Sequence, residues 1–352
     1  MVKFESRLII PHSLFNEAYK EKGLMNPSIP ADKVPIVACL GEVLIDFIAE
    51  ERDSLDSIAS FRKYPGGAPA NVAVGISRLG VTCGFIGKVG ADTFGEFLKT
   101  SLKKNGVNIE GIVDTKEAPT ALAFVSRSTT GERHFLFYRD PCADILLTKD
   151  DLPQDWLRKI KYLHVGGVSL TRNPSRQTTL RAIEFARQNG AIITFDPNLR
   201  LDLWSGGLNE CRKILHRVLA RTDIFLPSQH ELLSIMDTEQ IDDALSNAHE
   251  LGPHTICLKC GADGSRISIK KAKGKYDQFS QKALDVNVVD TTGAGDGFNA
   301  GLIVGLVKGM NIREAVRQGI VVASLVITKI GAMTALPTEK ELSKFLMKMK
   351  TD

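Results

Sequence analysis

The chain has 352 residues, of which 43% are hydrophobic and 24% charged, with a net charge of +4. These values describe an ordinary globular protein and exclude a disordered or fibrous chain. The small, dispersed charge gives no reason to expect nucleic acid or a membrane surface as partner, and no apolar run is long enough to span a bilayer. Six cysteines are scattered at 39, 83, 142, 211, 257 and 260. Cys257 and Cys260 have metal-ligand spacing, but no second pair or His pair completes a site, and they follow an apolar run. They read as buried thiols, and the set suggests a reducing, cytoplasmic setting.

Residues 1–33 stand apart as an N-terminal extension. The apolar run Arg7–Ile10 ends at Pro11, Ser13–Lys22 is helix-compatible, and Pro27, Pro30 and Pro35 give a linker composition. The apolar run is too short for a signal peptide. A surface tail and a subunit-contact arm both fit. Everything from 34 to 352 reads as one large α/β domain.

That domain opens with Ile36–Asp46, a buried strand interrupted by Gly41 and Glu42 and closed by Asp46. Ligands of open α/β sheets bind beyond the carboxyl ends of strands, so Asp46 is placed either to bond polyol hydroxyls or simply to make a turn. Phe47–Tyr64 reads as strand, polar turn, strand. Pro65-Gly66-Gly67-Ala68-Pro69-Ala70-Asn71 then leads into a helix. Paired glycines let backbone approach a ligand, and Asn71 can donate and accept at once; a plain loop before a helix is the other reading. A strand with a polar end at 83–92 and a helix at 94–105 follow. Thr120–Arg127 and Arg133–Arg139 flank a turn at 128–132 and predict a hairpin. With the 47–64 pair it would build a small second sheet, serving as a lid over a cleft or as a dimer contact.

From Ile160 the pattern alternates: strands at 162–167, 191–195, 224–226 and 255–258, helices at 175–189 and 207–219, and a helix between the last two strands. Such alternation predicts a doubly wound, mostly parallel sheet. Polar residues gather at the strand ends: Asp196-Pro-Asn198-Leu-Arg200, Ser228-Gln-His-Glu231 and Lys259-Cys-Gly261-Ala-Asp263-Gly264. His164, His230 and His254 lack metal-ligand spacing and read as structural.

The most informative stretch is Val286–Gly305. Alternating apolar residues to Val289 suggest a short strand, and Asp290-Thr291-Thr292-Gly293-Ala294-Gly295-Asp296-Gly297 then turns into a helix-compatible run. A glycine-rich turn at a helix start directs several N–H groups, and the helix dipole, at one point, which makes an anion site. The glycines do not follow the dinucleotide spacing, and the phosphate loop ending in Lys-Ser/Thr occurs nowhere. Asp296 is the unusual feature: a carboxylate beside a bound phosphate is unfavourable unless it takes the proton of an attacking hydroxyl. An ordinary turn with an acidic cap is the competing reading.

Gly66-Gly-Ala-Pro-Ala-Asn71 and Asp290-Thr-Thr-Gly-Ala-Gly-Asp296-Gly-Phe resemble the two signatures of the ribokinase-like (PfkB) carbohydrate kinases. The likeness runs from about Val34 to the C-terminus. Four stretches are most similar to fructokinases: 41–47, 65–71, 135–144 and 196–204. The resemblance implies a ribokinase-like fold with lid strands at about 47–64 and 120–139, dimerising through the lid. It implies Asp296 as catalytic base, with the N–H groups of Gly293, Ala294 and Gly295 as anion hole. Asp46, Gly66, Gly67 and Asn71 would bind the sugar, with Arg139 and Arg200 reaching the sugar or the phosphoryl group. Ser228, Lys259, Gly261, Gly264 and Ala323 would lie along ATP. Glu231 would organise Mg2+ through water, with Ser228 standing where the family motif has Asn. Asp290, Thr292 and Gly331 would hold a monovalent cation such as K+.

The function implied is phosphorylation of fructose to fructose 6-phosphate. A 2-keto-3-deoxygluconate kinase is the near alternative, since Arg139 and Arg200 suit a carboxylate; ribokinase and nucleoside kinases lie further off. A non-catalytic sugar-binding regulator on the same scaffold would have lost its base, and Asp296 is intact.

Overall fold

The computed structural model describes residues 34–51, 53–127 and 133–348. The N-terminal extension and the turn expected at 128–132 lie outside the described residues. Two sheets organise the rest. The larger contains β1 (Val37–Leu40), β4 (Cys83–Gly90), β5 (Ile112–Thr115), β8 (Tyr162–Gly166), β9 (Ile192–Asp196), β10 (Ile224–Phe225), β11 (Thr255–Lys259), β12 (Ser265–Lys270) and β13 (Tyr276–Gln281). Their spatial order is β13-β12-β11-β10-β9-β8-β1-β4-β5. Pairing is parallel from β5 to β11 and antiparallel only from β11 to β13. Central strands such as β1 and β8 are buried along their whole length, as expected where helices cover both faces. The smaller sheet has β2 (Leu44–Ala49), β3 (Phe61–Gly66), β6 (Leu122–Arg127) and β7 (Arg133–Tyr138), in the order β3-β2-β6-β7.

The structure corrects two expectations. The run 36–46 is not one interrupted strand: β1 lies in the large sheet and β2 in the small one. The chain leaves the first sheet at Gly41, where a Cβ would lie 2.6 Å from Pro69 Cγ, so only glycine fits. The alternation before Asp290 makes no strand either. Val288 and Val289 are exposed, and the N–H groups of Val289 and Asp290 bond to the carbonyl of Ile327 at a helix end. Strands β5, β12 and β13 are not among the predicted elements; β5 and β13 are the two edges of the sheet, and β12, whose Ile267 and Ile269 alternate with polar residues, lies between β11 and β13.

Two helices matter most for the site: α1 (Ala68–Arg78) and α8 (Ala294–Val307), with α2–α7 between them at Thr93–Lys104, Gln154–Lys159, Ser175–Gln188, Gly207–Leu219, Gln229–Met236 and Ile241–Leu251. α8 is apolar on every side and buried from Asp296 to Leu306. Such a helix must be packed all round. α9 (Ile312–Val326) covers one side. A Cβ on Gly301 would lie 2.9 Å from Gly319 Cα and 3.0 Å from the carbonyl oxygen of Gln318. The glycines thus let the two backbones approach, and Gln318 Nε2 adds a 2.8 Å bond to the Gly301 carbonyl. α1 lies against α8 in the same way, since a Cβ on Gly75 would lie 2.6 Å from Ala300 Cβ. Overfilling this contact should be costly: Gly301→Leu is expected to lose about 1–3 kcal/mol of stability. A lower urea midpoint at unchanged slope would show it.

Candidate active site

Asn71 sits one turn into α1 and Asp296 in the first turn of α8. Asn71 Nδ2 donates to Asp296 Oδ2 at 2.8 Å. Four residues further along each helix, Gly75 faces Ala300. Contacts that advance by four on both helices mean that α1 and α8 run parallel, with their N-termini at the same end. Each helix begins at a glycine whose backbone other residues adopt with difficulty: Gly67 with φ +101° and Gly293 with φ +77°. At Gly293 a Cβ would also strike Ala332, 2.8 Å away. Two positive helix ends therefore open onto one place, with a carboxylate between them.

That carboxylate is buried, and Asp46 joins it. Gly66 packs directly against the Asp46 carboxylate, where a Cβ would clash. Burial pushes Asp296 up to about 7, the charge of Asp196 adds to the rise, and the Asn71 bond, Lys259 and Arg200 oppose it. Burial and the charge of Asp296 also bring Asp46 to about 7, against the opposing charge of Arg200. Arg200 therefore faces both acids, with its guanidinium 5.3 Å from the Phe135 ring of the small sheet. Asn71 Oδ1 remains buried without a hydrogen-bond partner, an acceptor left over at the same point.

Arg139 has a different setting from the one expected. It is buried, its Nε donates to Asp144 Oδ2 at 2.9 Å, and a second nitrogen makes a shorter bond to the same oxygen. Its charge is matched inside the fold. Neighbouring Glu42 accepts from the Ala68 N–H at 3.0 Å and so caps the start of α1.

The strand ends bring the remaining polar groups to the same side. Lys259, at the end of β11, donates to Asp196 Oδ2 at 2.6 Å and lies beside Gly295, 3.5 Å from where a Cβ would be. Asn299 Nδ2, one turn after Asp296, reaches the same Asp196 oxygen at 2.6 Å. Neither Asp196 nor Asn299 was given a role from the sequence; Asn299, three residues past Asp296 on a helix, carried the available signal. Gly261 and Gly264, with φ +58° and +91°, shape the turn that follows Lys259. Ala323 on α9 lies behind Gly297, its Cα 3.6 Å from where a Cβ would be.

Glu231 and Ser228 form a capping box at the start of α6. Glu231 Oε2 accepts from the Ser228 N–H and hydroxyl, each at 2.7 Å, and Oε1 accepts from the Leu199 N–H at 2.7 Å. With both oxygens already bonded, Glu231 fits an ion held through water better than direct ligation. Asp290 Oδ1 accepts from the Thr292 N–H and hydroxyl at 3.0 and 2.6 Å, and Oδ2 from the Gly331 N–H at 3.0 Å. The three residues expected around a monovalent cation therefore meet. Among the described residues no group of three or more His, Cys, Asp or Glu could hold a metal ion by itself. His164 is buried against Thr194 Oγ1 at 3.0 Å and desolvation lowers it to about 4, a structural histidine as expected.

Residues 35–339 match the family model of the pfkB family carbohydrate kinases. The chain belongs to that family. As a pfkB carbohydrate kinase it is an ATP-dependent enzyme acting on a sugar. It is 40% identical to a probable fructokinase-4 of Arabidopsis thaliana over 321 residues, 88% of this chain and 96% of that protein. A sugar kinase of Pyrococcus horikoshii crystallised with ATP is 36% identical with TM-score 0.78, covering 88% of this chain and 97% of that one. A fructokinase of Vibrio cholerae, crystallised with fructose, ADP and calcium, is 31% identical with TM-score 0.79, covering 88% and 98%. No helix among the described residues is long and apolar enough to cross a membrane.

In this kinase the Asn71 bond favours the charged form of Asp296. A carboxyl whose affinity for protons is centred at about 7 changes charge across the neutral range. Asn71→Ala removes a charge-favouring bond, so the titration of Asp296 should move to higher pH; carboxyl chemical shifts followed by NMR between pH 5.5 and 9 would show it.

Proposed function

We propose that the protein transfers the γ-phosphate of ATP to a primary hydroxyl of fructose, giving fructose 6-phosphate. The observation that carries this reading is the buried Asp296, bonded to Asn71 at the shared start of two parallel helices. In this mechanism Asp296 accepts the proton of the attacking hydroxyl as the oxygen closes on phosphorus. The N–H groups of Gly293, Ala294 and Gly295 cradle the phosphoryl oxygens, where such donors are worth about 3–4 kcal/mol each. Asp46, Gly66, Gly67 and Asn71 hold the sugar, and Arg200 offsets the acids around it. Lys259 and the 261–264 turn lie along the nucleotide, with Ala323 toward its base. A divalent cation arriving with ATP neutralises charge on the phosphates, and Glu231 steadies it through water. Asp290, Thr292 and Gly331 hold a monovalent cation such as K+ beside the loop.

Arg139 supports a neutral sugar over 2-keto-3-deoxygluconate. Its guanidinium is spent on Asp144, so a substrate carboxylate would find Arg200 alone and would face Asp46 and Asp296. Like charges in a buried site are costly. The fructokinase relatives point the same way. The outer face of the small sheet supports pairing of two copies through the lid: Leu136 is 45% exposed and Tyr138 61%, on the face opposite Asp46. The six free thiols suit a reducing, cytoplasmic setting.

A coupled ADP-release screen over fructose, ribose, mannose, glucose, adenosine and 2-keto-3-deoxygluconate tests the substrate. Fructose should give the highest kcat/KM, and a clear preference for another sugar overturns that choice while leaving the kinase. In the same assay Asp296→Asn should lower kcat about 10²–10⁴-fold with little change in either KM. Near-normal turnover in that variant would remove Asp296 from the role of base.

A further inference from the structure

We propose that Asp196 is a positioning residue that holds the Lys259 ammonium beside the Gly293–Gly295 loop and Asn299 on the reacting side of α8. This rests on the reading of Asp296 as base. The carboxylate of Asp196 ends β9 and is buried. Its Oδ2 takes both Lys259 Nζ and Asn299 Nδ2 at 2.6 Å, while Oδ1 takes the Asn198 N–H at 3.0 Å. One oxygen thus joins the end of β11 to the first turns of α8. Lys259 is a flexible four-carbon chain, and the buried anion fixes where its ammonium sits. Held as it is, it presents a positive charge next to Gly295, where a phosphoryl group would sit.

The same pair acts on Asp296 from two sides. Asp196 makes Asp296 harder to ionise and Lys259 makes it easier. The other charges facing Asp296 are Arg200 and Asp46. Those facing Asp196 are Lys259 and His164, with Asp296 beyond, and Glu231 also faces Lys259. Burial alone would raise Asp196, but the Lys259 charge and the two short bonds hold it below the usual carboxylate range. Burial would likewise lower Lys259, and Asp196 with Glu231 holds it above the usual lysine range. Both members therefore stay charged across the working range, and the pair is a fixed dipole beside the base.

The test uses the full chain and three variants: Asp196→Asn, Lys259→Met and the double. Asp196→Asn keeps an amide oxygen near Lys259 but loses the charge that fixes Lys259 and Asn299, so kcat should fall about 10²-fold through imprecise positioning while the Lys259 charge stays beside Asp296, with the KM for sugar nearly unchanged. The acid limb of the kcat–pH profile should move to lower pH in Asp196→Asn and to higher pH in Lys259→Met. In the double variant the limb should return toward the wild-type position, and the kcat losses should not multiply. A merely structural pair would lower the melting temperature without moving the limb in opposite directions. Removing one member leaves the other buried and unpaired, whereas removing both relieves this, so the double variant stays folded even where a single one does not. Wild-type kcat and an unmoved acid limb in Asp196→Asn, or in the folded double variant, would overturn the proposal. Asp296→Asn run alongside separates the cases. If it turns over normally, the base assignment has failed; if it is inactive while the Asp196 and Lys259 variants behave as wild type, only the present proposal has.

Discussion

The bond between Asn71 and Asp296 is the constraint on which the site depends. Two residues 225 positions apart in the chain meet because α1 and α8 lie parallel and close. Closeness comes from small residues, Gly75 against Ala300. With the helices side by side, their glycine starts fall together, and each supplies N–H groups that no helix can satisfy internally. The two helix starts thus place positive potential around the buried Asp296.

Burial of that place sets its electrostatics. Three aspartates, at 46, 196 and 296, influence one another, and two cations, Arg200 and Lys259, answer them. The environments separate the acids into two kinds. Asp196 is paired directly with a cation and stays ionised. Asp46 and Asp296 have no such partner and are pushed toward neutrality. Divergence of this sort between neighbouring carboxyl groups is how one site offers both an acceptor of protons and a fixed charge. Arg139 is excluded from the balance because Asp144 has already neutralised it.

Much of this was legible in the sequence for a physical reason. Alternating strands and helices from 160 onward gave the parallel sheet, because connections of that length leave few other solutions. Gly67, Asn71, Gly293 and Asp296 could be singled out because glycine at a helix start and an acid in an anion loop are each chemically unusual. The misreadings share a cause. Val286–Val289 alternates like a strand, yet alternation records which side chains avoid water only when a sheet is there to bury them, and here none is. The run 36–46 is apolar on both sides of Gly41, and composition does not show that its two halves belong to different sheets. Arg139 looked like a free cation because its neutraliser, Asp144, comes five residues later, in a short 3-10 turn that has no sequence signal of its own. Asp196, Asn299 and Lys259 are far apart in sequence, and only the fold brings them to one oxygen.

The break at Gly41 has a mechanical consequence. It is the point where the chain passes from the large sheet to the small one, and Glu42, next along, bonds to the first N–H of α1. One short segment therefore joins the core strand, the lid strand that carries Asp46, and the helix that carries Asn71. Asp46 and Asn71 are thus registered to the core through the same few residues: β2 fixes Asp46 by its pairing with β3, and the Glu42 bond fixes the start of α1. A displacement at Gly41 would shift both side chains relative to Asp296, so the position of each depends on the other.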